Sequence, residues 1–218
     1  FQLMGMTQSP HVAVVTNLSP NHLDIHKDME EYVTAKENIY LHQTAEDTVV
    51  LNLDNEITNS FAPKAKGNVM QFSRVARPEK GYYLRNDGMI CRVDGAAETE
   101  IFPADEILIP GVHNIENYMA AFCAVDGLVP VSVMEQLAKN FGGVAHRIEL
   151  VRVKDGVKYY DSSIDSSPNR TRAALRSFHQ KVIMVAGGKD KGIGYDDLGP
   201  DLQAHVKLLV LTGMTAGK

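Results

Sequence analysis

The chain has 218 residues, of which 44% are hydrophobic and 22% are charged, and this ordinary composition excludes a disordered protein. Its 22 Lys and Arg against 27 Asp and Glu leave a formal net charge of −5, so no basic surface indicates nucleic acid as a partner. The length suits one large domain or two small ones, at roughly 100–200 residues per domain.

The cysteines and the apolar runs of the sequence indicate the cellular compartment of the protein. Cys91 and Cys123 lie far apart with no Cys-x-x-Cys pair, which argues against a disulfide framework or a zinc ribbon and fits a reducing compartment. The longest apolar runs, 182–186 and 208–211, have the length of strands and are too short to span a bilayer. We therefore predict a soluble, cytoplasmic α/β chain with no membrane partner.

The first half of the chain alternates strand and helix signals. Asp28 is expected to start a helix as its N-cap, with Glu31 completing a capping box. The pair Asp87-Gly88 is a turn signal that predicts a hairpin around it. In chain order we predict a strand at 13–18, a polar loop at 19–27, the helix from 28, strands at 48–53 and 69–72, and the hairpin at 81–93.

The second half predicts two further helices and then a new sheet. Asn114 is expected to cap a helix whose apolar residues recur at 3.6-residue spacing. Because Gly142-Gly143 interrupts the pattern, we place a domain boundary near Gly143, which gives domains of 1–143 and 144–218. Strand–helix–strand order beyond it predicts a parallel sheet. The remaining predictions are a helix at 131–141, a hairpin over 148–160, a helix near 168, a strand at 181–186, a helix at 195–206 and a strand at 208–211.

The sequence at both ends of the chain is typical of a truncated protein. It opens without an initiator Met or a signal-peptide pattern. The strand at 208–211 has a buried pattern and runs into Gly213, where an α/β sheet normally continues into a helix. We expect a fragment of a longer protein.

The loop after the first strand carries His22-x-Asp24-x-His26. Ligands bind at the carboxyl ends of strands in open α/β sheets, and His and Asp there could ligate a divalent metal. The alternative is a polar loop that solvates itself and caps the next helix.

Lys36 lies in the middle of an apolar helix face. Its neighbours on that face are Met29, Tyr32, Val33, Ile39 and Tyr40. A lysine there either extends its ammonium to water or is buried, and a neutral lysine amine is a nucleophile that can be modified.

Three further motifs suit an anionic or nucleotide ligand. Asn114 and Asn117 open a helix after Gly111, where free N–H groups favour phosphate, although Asn is also a preferred N-cap. Arg147 could clamp a phosphate and Asp161 could hold a ribose hydroxyl or a metal, the alternative being an interdomain salt bridge. The third motif is the glycine-rich loop Gly187-Gly188-Lys189-Asp190-Lys191-Gly192, and its alternative is an ordinary turn with solvated lysines.

No true P-loop is present in these 218 residues. The stretch 213–218 resembles one, but it is one residue short and lacks the terminal Ser or Thr.

The order and spacing of these motifs resemble the Mur ligases, the ATP-dependent amide-forming enzymes of peptidoglycan synthesis. The resemblance implies an α/β fold in which 1–143 is part of a central P-loop-type ATPase domain and 144–218 is part of a C-terminal, Rossmann-like, amino-acid-binding domain. It rests on Phe1-Gln2-Leu3, Thr16-Asn17 through His22-x-Asp24, Tyr32 to Lys36, Gly111 to Asn117, His146-Arg147, Asp161-Ser162 and Gly187 to Gly192.

The resemblance assigns a role to each candidate residue. His22 would help to hold Mg²⁺, and Lys36 would be carboxylated to a carbamate that supports the metal site. Lys191 would meet the incoming amino acid. The nucleotide contacts would come from Asn114, Asn117, Arg147 and Asp161.

The glycine-rich loop narrows the resemblance to the branch that adds D-glutamate. The implied substrates are ATP, UDP-N-acetylmuramoyl-L-alanine and D-glutamate, with Mg²⁺ as cofactor and a monomeric enzyme. The γ-phosphoryl of ATP would pass to the substrate carboxylate, and the D-glutamate amine would attack the acyl phosphate. The alternatives are another amino-acid ligase of the Mur and folylpolyglutamate synthase superfamily, or a non-catalytic nucleotide-binding fragment.

The chain departs from the family in two ways. Many relatives have Asp-Ser-Lys-x-Thr where this chain has Asp161-Ser162-Ser163-Ile164-Asp165, so a lysine is replaced and a carboxylate is added. The family's P-loop and metal-binding Glu would lie upstream of Phe1. We therefore expect the isolated 218 residues neither to hydrolyse ATP nor to join the amino acid.

Overall fold

The computed structural model describes residues 2–18, 27–165, 167–189 and 194–217. The chain divides into two compact units. The first comprises Phe1–Ile107 and Ile115–Asn140, and the second comprises Leu108–Asn114 and Phe141–Lys218. The inclusion of Leu108–Asn114 in the second unit is a feature that no sequence pattern indicated.

The first unit contains a mixed sheet whose six described strands lie side by side in chain order. The pairs β1–β2, β2–β3 and β3–β4 are parallel, and β4–β5 and β5–β6 are antiparallel. The strands are β1 Val12–Val15, β2 Thr48–Asn52, β3 Asn68–Ser73, β4 Lys80–Leu84, β5 Met89–Asp94 and β6 Ala97–Pro103.

Helices and apolar strands build the core of the first unit. Val49, Val50 and Leu51 of β2 are fully buried, as expected for a strand covered on both faces. Tyr40 packs on Phe61 with ring centroids 5.4 Å apart. The helices of this unit are α1 Met29–Leu41, α2 Glu56–Asn59, α3 Val112–Ala124, which begins with three residues of the second unit, and α4 Val131–Asn140.

A short loop joins the parallel strands β3 and β4, which is unusual because such crossovers normally need a dozen or more residues. The strands are staggered, with Gln71 of β3 paired to Gly81 of β4, so the chain has little distance to return. Gly81 has a φ of +139°, and a Cβ at this position would overlap the carbonyl oxygen of Gln71. The pairing therefore requires glycine at position 81.

The hairpin at Asp87-Gly88 is confirmed, and it extends to a further strand, β6, that was not predicted from the sequence. The first four residues of β6 are exposed and polar or small, a pattern typical of a loop. The guanidinium of Arg85 pairs with Asp87, Glu98 and Glu100, and the last two lie on β6.

The second unit contains two separate two-stranded sheets in the described residues. Strands β7 Glu149–Lys154 and β8 Val157–Asp161 form the predicted antiparallel hairpin, and β9 Val182–Gly188 pairs in parallel with β10 Val206–Gly213. Two helices accompany them, α5 Pro168–Arg176 and α6 Gly199–His205.

A buried carboxylate joins the two helices of the second unit. Asp201 of α6 is only 7% exposed and accepts hydrogen bonds from Arg172 at 2.7 Å and Arg176 at 2.8 Å, both on α5. Arg172, followed by Arg176, lowers the pKa of this carboxyl.

The predicted burial of the last strand is wrong in this structure. The side chain of Leu208 is 54% exposed and that of Leu211 is 47% exposed, because β10 has only β9 as a strand neighbour among the described residues. Within the described ranges, no helix combines the length and the apolar character that a membrane span requires.

Replacement of Gly81 by Ala tests the close approach of β3 and β4. We expect Gly81→Ala to lower the free energy of unfolding by about 3 kcal/mol or more, because the new Cβ must displace backbone as well as adopt a left-handed φ. Urea denaturation measures this loss.

Gly88→Ala is the matched control, since Gly88 also has a positive φ, +86°, but no atom lies within 4 Å of the position that the alanine methyl would occupy. We expect a loss of about 1–2 kcal/mol for this control. Equal losses in the two variants would show that the contact with Gln71 is unimportant.

Candidate functional site

Helix α1 carries Lys36 and begins as the sequence predicted. Asp28 is the N-cap, and its Oδ1 accepts a hydrogen bond from the backbone N–H of Glu31 at 2.9 Å. The Glu31 carboxylate in turn accepts from the backbone N–H of Lys27 at 2.7 Å, one residue before the cap. This reciprocal pair fixes the start of α1 immediately after the His22 loop.

Lys36 is half-buried and its ammonium lies over an aromatic ring. The distance from Lys36 Nζ to the ring centroid of Tyr32 is 5.6 Å, within the range of a cation–π contact. Within the described part of the chain this ring, rather than a carboxylate, contacts the ammonium. Lys36 is thus neither fully buried nor extended away from the helix face.

The next residue, Glu37, is the buried charge of α1, and sequence reasoning did not single it out. It is 7% exposed, and its Oε1 accepts hydrogen bonds from Tyr40 at 3.0 Å and from Lys64 at 2.6 Å. The sequence signal for its burial was its position three residues before the apolar-face residue Tyr40, on the same side of the helix. The ion pair with Lys64 compensates the charge of the Glu37 carboxylate, so Glu37 serves the stability of the fold.

The N-terminal segment is fastened to the last turns of α1. Asn38 donates from Nδ2 to the carbonyl oxygens of Leu3 at 2.9 Å and Met4 at 3.4 Å. The Ser9 hydroxyl donates to the Asn38 carbonyl at 3.1 Å and accepts from the backbone N–H of His42 at 3.1 Å. These bonds hold residues 3–9 beside the helix that carries Lys36.

Helix α3 begins three residues earlier than a cap at Asn114 would place it, and Asn114 is therefore not its N-cap. The helix starts at Val112, directly after the left-handed Gly111 with a φ of +106°. Asn114 lies in the first turn, where its Nδ2 donates to the carbonyl of Pro110 at 2.6 Å. Asn117 is exposed one turn later, so the two amides share one side of the helix.

His146 and Ile148 both adopt left-handed backbone conformations, with φ of +64° and +47°, and Arg147 lies between them. A positive φ is a rare outlier for a β-branched residue such as Ile148, and costs of about 1–3 kcal/mol per residue require strong local contacts. Arg147 itself is exposed. No local sequence pattern indicated this sharp turn.

Side chains at the end of β8 hold this turn. The carboxylate of Asp161 lies 2.7 Å from Nδ1 of His146 and accepts from the backbone N–H of Ser163 at 2.9 Å. The Ser162 hydroxyl accepts from the backbone N–H of Ile148 at 3.1 Å and donates to Asp165 at 2.6 Å. We call His146–Ile148 with Asp161–Asp165 the turn clamp.

The charges in the turn clamp reinforce each other. The hydrogen bond from His146, with the Ser163 N–H, lowers the pKa of Asp161 to about 2. The same hydrogen bond raises the pKa of His146 above its ordinary value of 6.5. The pair is therefore a protonated imidazole beside an ionised carboxylate at mildly acidic pH.

A third side chain joins His146 and Asp161. Ligand atoms of His146, Glu149 and Asp161 all lie within 4.8 Å of one another, a spacing that could hold a metal ion. Two of these side chains also contact His146 directly. The imidazole contacts Asp161, and the Glu149 carboxylate accepts a hydrogen bond from the backbone N–H of His146 at 2.7 Å.

A cavity of about 270 Å³ lies within the second unit, beside the face of α5. It is slightly smaller than the usual range of ligand pockets, roughly 300–1,000 Å³. Its lining residues are Val112, His113, Asn169, Arg172, Ala173, Arg176 and Ser177. Val112 and His113 belong to the Gly111–Asn117 motif named from the sequence, and the other five residues lie on or directly after α5.

Two predicted site residues lie outside the described residues. These are His22, with its companions Asp24 and His26, and Lys191 of the glycine-rich loop. The other five predicted site residues are described. Asp161 contacts His146, which is adjacent to Arg147 in the turn, so the structure brings Asp161 and Arg147 to one turn. Lys36, Asn114 and Asn117 lie on helices.

The elements define an α/β protein, a class in which ligand sites usually lie where strands end and helices begin. A family model described as the Mur ligase middle domain matches residues 2–125. The chain belongs to the Mur ligase family.

Curated relatives match the whole chain. A UDP-N-acetylmuramoylalanine–D-glutamate ligase from Acetivibrio thermocellus is 58% identical over 218 residues, which are 100% of this chain and 47% of the relative. The ligase of the same name from Ruminiclostridium cellulolyticum is 52% identical with the same coverage. The chain spans about half the length of these relatives.

Solved structures share the fold at low identity. One crystal structure of MurF from Acinetobacter baumannii has a TM-score of 0.70 at 22% identity, covering 96% of this chain and 48% of that one. MurF from Thermotoga maritima in complex with ADP has a TM-score of 0.66 at 18% identity, covering 94% of this chain and 53% of that one. The mixed α/β fold expected from the sequence is thereby confirmed.

The ionisation of the turn clamp can be measured directly. The raised pKa of His146 means that the pair stabilises the fold fully below the ordinary imidazole value and loses this contribution as pH rises through the folded His146 pKa. The lowered pKa of Asp161 means that its contribution is present above about 3.9 and is lost as pH falls through about 2.

We expect the Asp161→Asn variant to lower the His146 pKa toward 6.5, because the carboxylate that raises it is gone. NMR titration of the imidazole protons measures the change. Asp155→Asn, which removes a carboxylate from the β7–β8 turn, should leave the His146 titration as it is. An unaltered His146 titration in Asp161→Asn would contradict the contact.

Proposed function

We propose that this chain forms part of an ATP-dependent ligase that joins D-glutamate to UDP-N-acetylmuramoyl-L-alanine in peptidoglycan synthesis. The observation that carries the proposal is 58% identity across all 218 residues to a relative of that name. Since the chain spans 47% of this relative, the activity belongs to a protein of the relative's length, called the full-length ligase below. We expect it to act as a monomer in the cytoplasm, where ATP is available.

The nucleotide would be held by four described residues. Arg147 offers a planar guanidinium for bidentate contact with phosphate oxygens, and its exposed position leaves it accessible to a ligand. Asp161 offers carboxylate oxygens to ribose hydroxyls. The amides of Asn114 and Asn117 supply both donors and acceptors, the groups that an adenine edge requires.

Lys36 fits a magnesium site only in a modified form. An ammonium repels Mg²⁺, whereas a carbamate on the same nitrogen carries oxygen atoms, the ligands that Mg²⁺ prefers. The described contact that would be lost is one cation–π interaction of the half-buried Lys36, worth about 0.5–2 kcal/mol. Carboxylated Lys36 and His22 would hold the ion, whose charge would stabilise phosphate oxygens during transfer.

The reaction would proceed in two transfers. A carboxylate oxygen of UDP-N-acetylmuramoyl-L-alanine attacks the γ-phosphorus of ATP, and the bond to ADP breaks. The amine of D-glutamate then attacks the acyl carbon, loses a proton and expels inorganic phosphate. Arg147 would balance the charge of the nucleotide phosphates, and Lys191 would pair with a D-glutamate carboxylate.

Amino-acid competition tests the substrate assignment. We expect the full-length ligase, given ATP, Mg²⁺ and UDP-N-acetylmuramoyl-L-alanine, to release phosphate at least about 100-fold faster with D-glutamate than with L-glutamate or D-alanine, since a polar site rejects ligands that leave its groups unpaired. Faster turnover with another amino acid would indicate a different ligase of the family. No turnover with any amino acid would indicate a nucleotide-binding module.

Removal of Lys36 tests the carbamate. We expect Lys36→Ala to reduce ligation by about 100-fold or more, because loss of a group that supports a metal ligand commonly costs 10–100-fold or above. Added short carboxylates such as acetate should restore part of the activity by supplying the missing oxygens.

Lys66→Ala is the matched control, since Lys66 is an exposed lysine of the same unit. It should retain full activity and show no response to acetate. Loss of activity in Lys36→Ala without any rescue, or full activity in that variant, would argue against the carbamate.

A further inference from the structure

We propose that Asp165 is a positioning residue, which acts through the hydroxyl of Ser162 to hold the turn that presents Arg147 to the nucleotide. This inference rests on the proposed function for the role of Arg147. It assigns a purpose to a half-buried carboxylate that the proposed reaction does not otherwise use.

The contacts form a relay from Asp165 to the turn. A serine hydroxyl has one proton to donate and two lone pairs that accept. The Ser162 proton is directed to Asp165 Oδ2 at 2.6 Å, the short distance typical of a hydrogen bond to a carboxylate. A Ser162 lone pair then faces the backbone N–H of Ile148, which donates at 3.1 Å.

Ile148 needs this partner more than an ordinary residue would. It is 9% exposed and has a φ of +47°, so its N–H is poorly placed to reach water and its backbone is strained. A second bond, from the N–H of Ile164 to the carbonyl of His146 at 3.3 Å, ties the other side of the turn to the same segment. Both flanks of Arg147 are therefore fastened to residues 161–165.

Asp165 is itself held in place for this role. Its backbone N–H donates to the carbonyl of Ser162 at 3.0 Å, which closes a short loop and keeps its carboxylate beside the Ser162 hydroxyl. Asp161, at the start of the same loop, contacts His146 at 2.7 Å. One loop thus sets the position of Arg147 from both neighbours along the chain.

The experiment is a double-mutant cycle in the full-length ligase with Asp165→Ala, Ser162→Ala and the combined variant. We expect Asp165→Ala to raise the KM for ATP about 10-fold and to leave the KM for D-glutamate and kcat within about 2-fold, because only nucleotide positioning is disturbed. The combined variant should match Ser162→Ala alone, because Asp165 acts through Ser162.

Two controls separate positioning from simple destabilisation. Asp165→Asn keeps an oxygen that accepts the Ser162 proton, so it should restore an ATP KM close to that of the parent. Asp155→Asn removes a carboxylate from the β7–β8 turn of the same unit and should behave like the parent.

Hydrogen exchange provides a readout that does not depend on activity. We expect the Ile148 amide to exchange about 10-fold faster in Asp165→Ala than in the parent or Asp155→Asn. If the parent lacks D-glutamate-dependent ATP turnover, the proposed function fails, while this readout still decides whether Asp165 holds the turn. The inference is overturned if Ile148 exchange is unchanged, if effects of the two alanine variants add, or if Asp165→Ala lowers only the folded fraction.

Discussion

The left-handed backbone on both sides of Arg147 is the constraint on which the candidate site depends. Isolated residues such as His146 and Ile148 do not favour this conformation, so its persistence requires contacts from elsewhere. Those contacts come from the end of β8, where Asp161 contacts His146 and Ser162 accepts the N–H of Ile148. A carboxylate suited to ribose and a guanidinium suited to phosphate are consequently produced by one local arrangement, and neither position is independent of the other.

A comparable division of tasks is found on α1. Glu37 faces the core, where Lys64 and Tyr40 satisfy its charge, and this side of the helix serves stability. Lys36, its neighbour, is half-buried, and among the described residues its ammonium contacts the ring of Tyr32. The bonds from Asn38 and Ser9 fasten the N-terminal segment to the same helix. The lysine is therefore placed by a rigid element while remaining free of a strong partner among the described residues, as a modifiable amine would require.

Local signals in the sequence predicted local structure well. The Asp28 cap, the hairpin at Asp87-Gly88 and the Pro168 helix start are confirmed, because turn and capping preferences act over a few residues. The start of α3 was misplaced because left-handed Gly111 begins the turn before Asn114, and β6 was missed because its stability comes from pairing with β5. The turn clamp was hidden for the same reason, since it depends on hydrogen bonds between residues about 15 positions apart. The roles of all seven predicted site residues stay predictions; they are His22, Lys36, Asn114, Asn117, Arg147, Asp161 and Lys191.

We propose that this chain forms part of a ligase in which the substrate carboxylate first takes a phosphoryl group from ATP. Transfer of ¹⁸O tests it most directly. With UDP-N-acetylmuramoyl-L-alanine labelled at both carboxylate oxygens, the full-length ligase should place one ¹⁸O in each phosphate released, in step with D-glutamate incorporation, because the acyl–oxygen bond breaks when the amine attacks. Mass spectrometry of the phosphate would contradict the account if it found only unlabelled phosphate, or if phosphate release did not depend on D-glutamate.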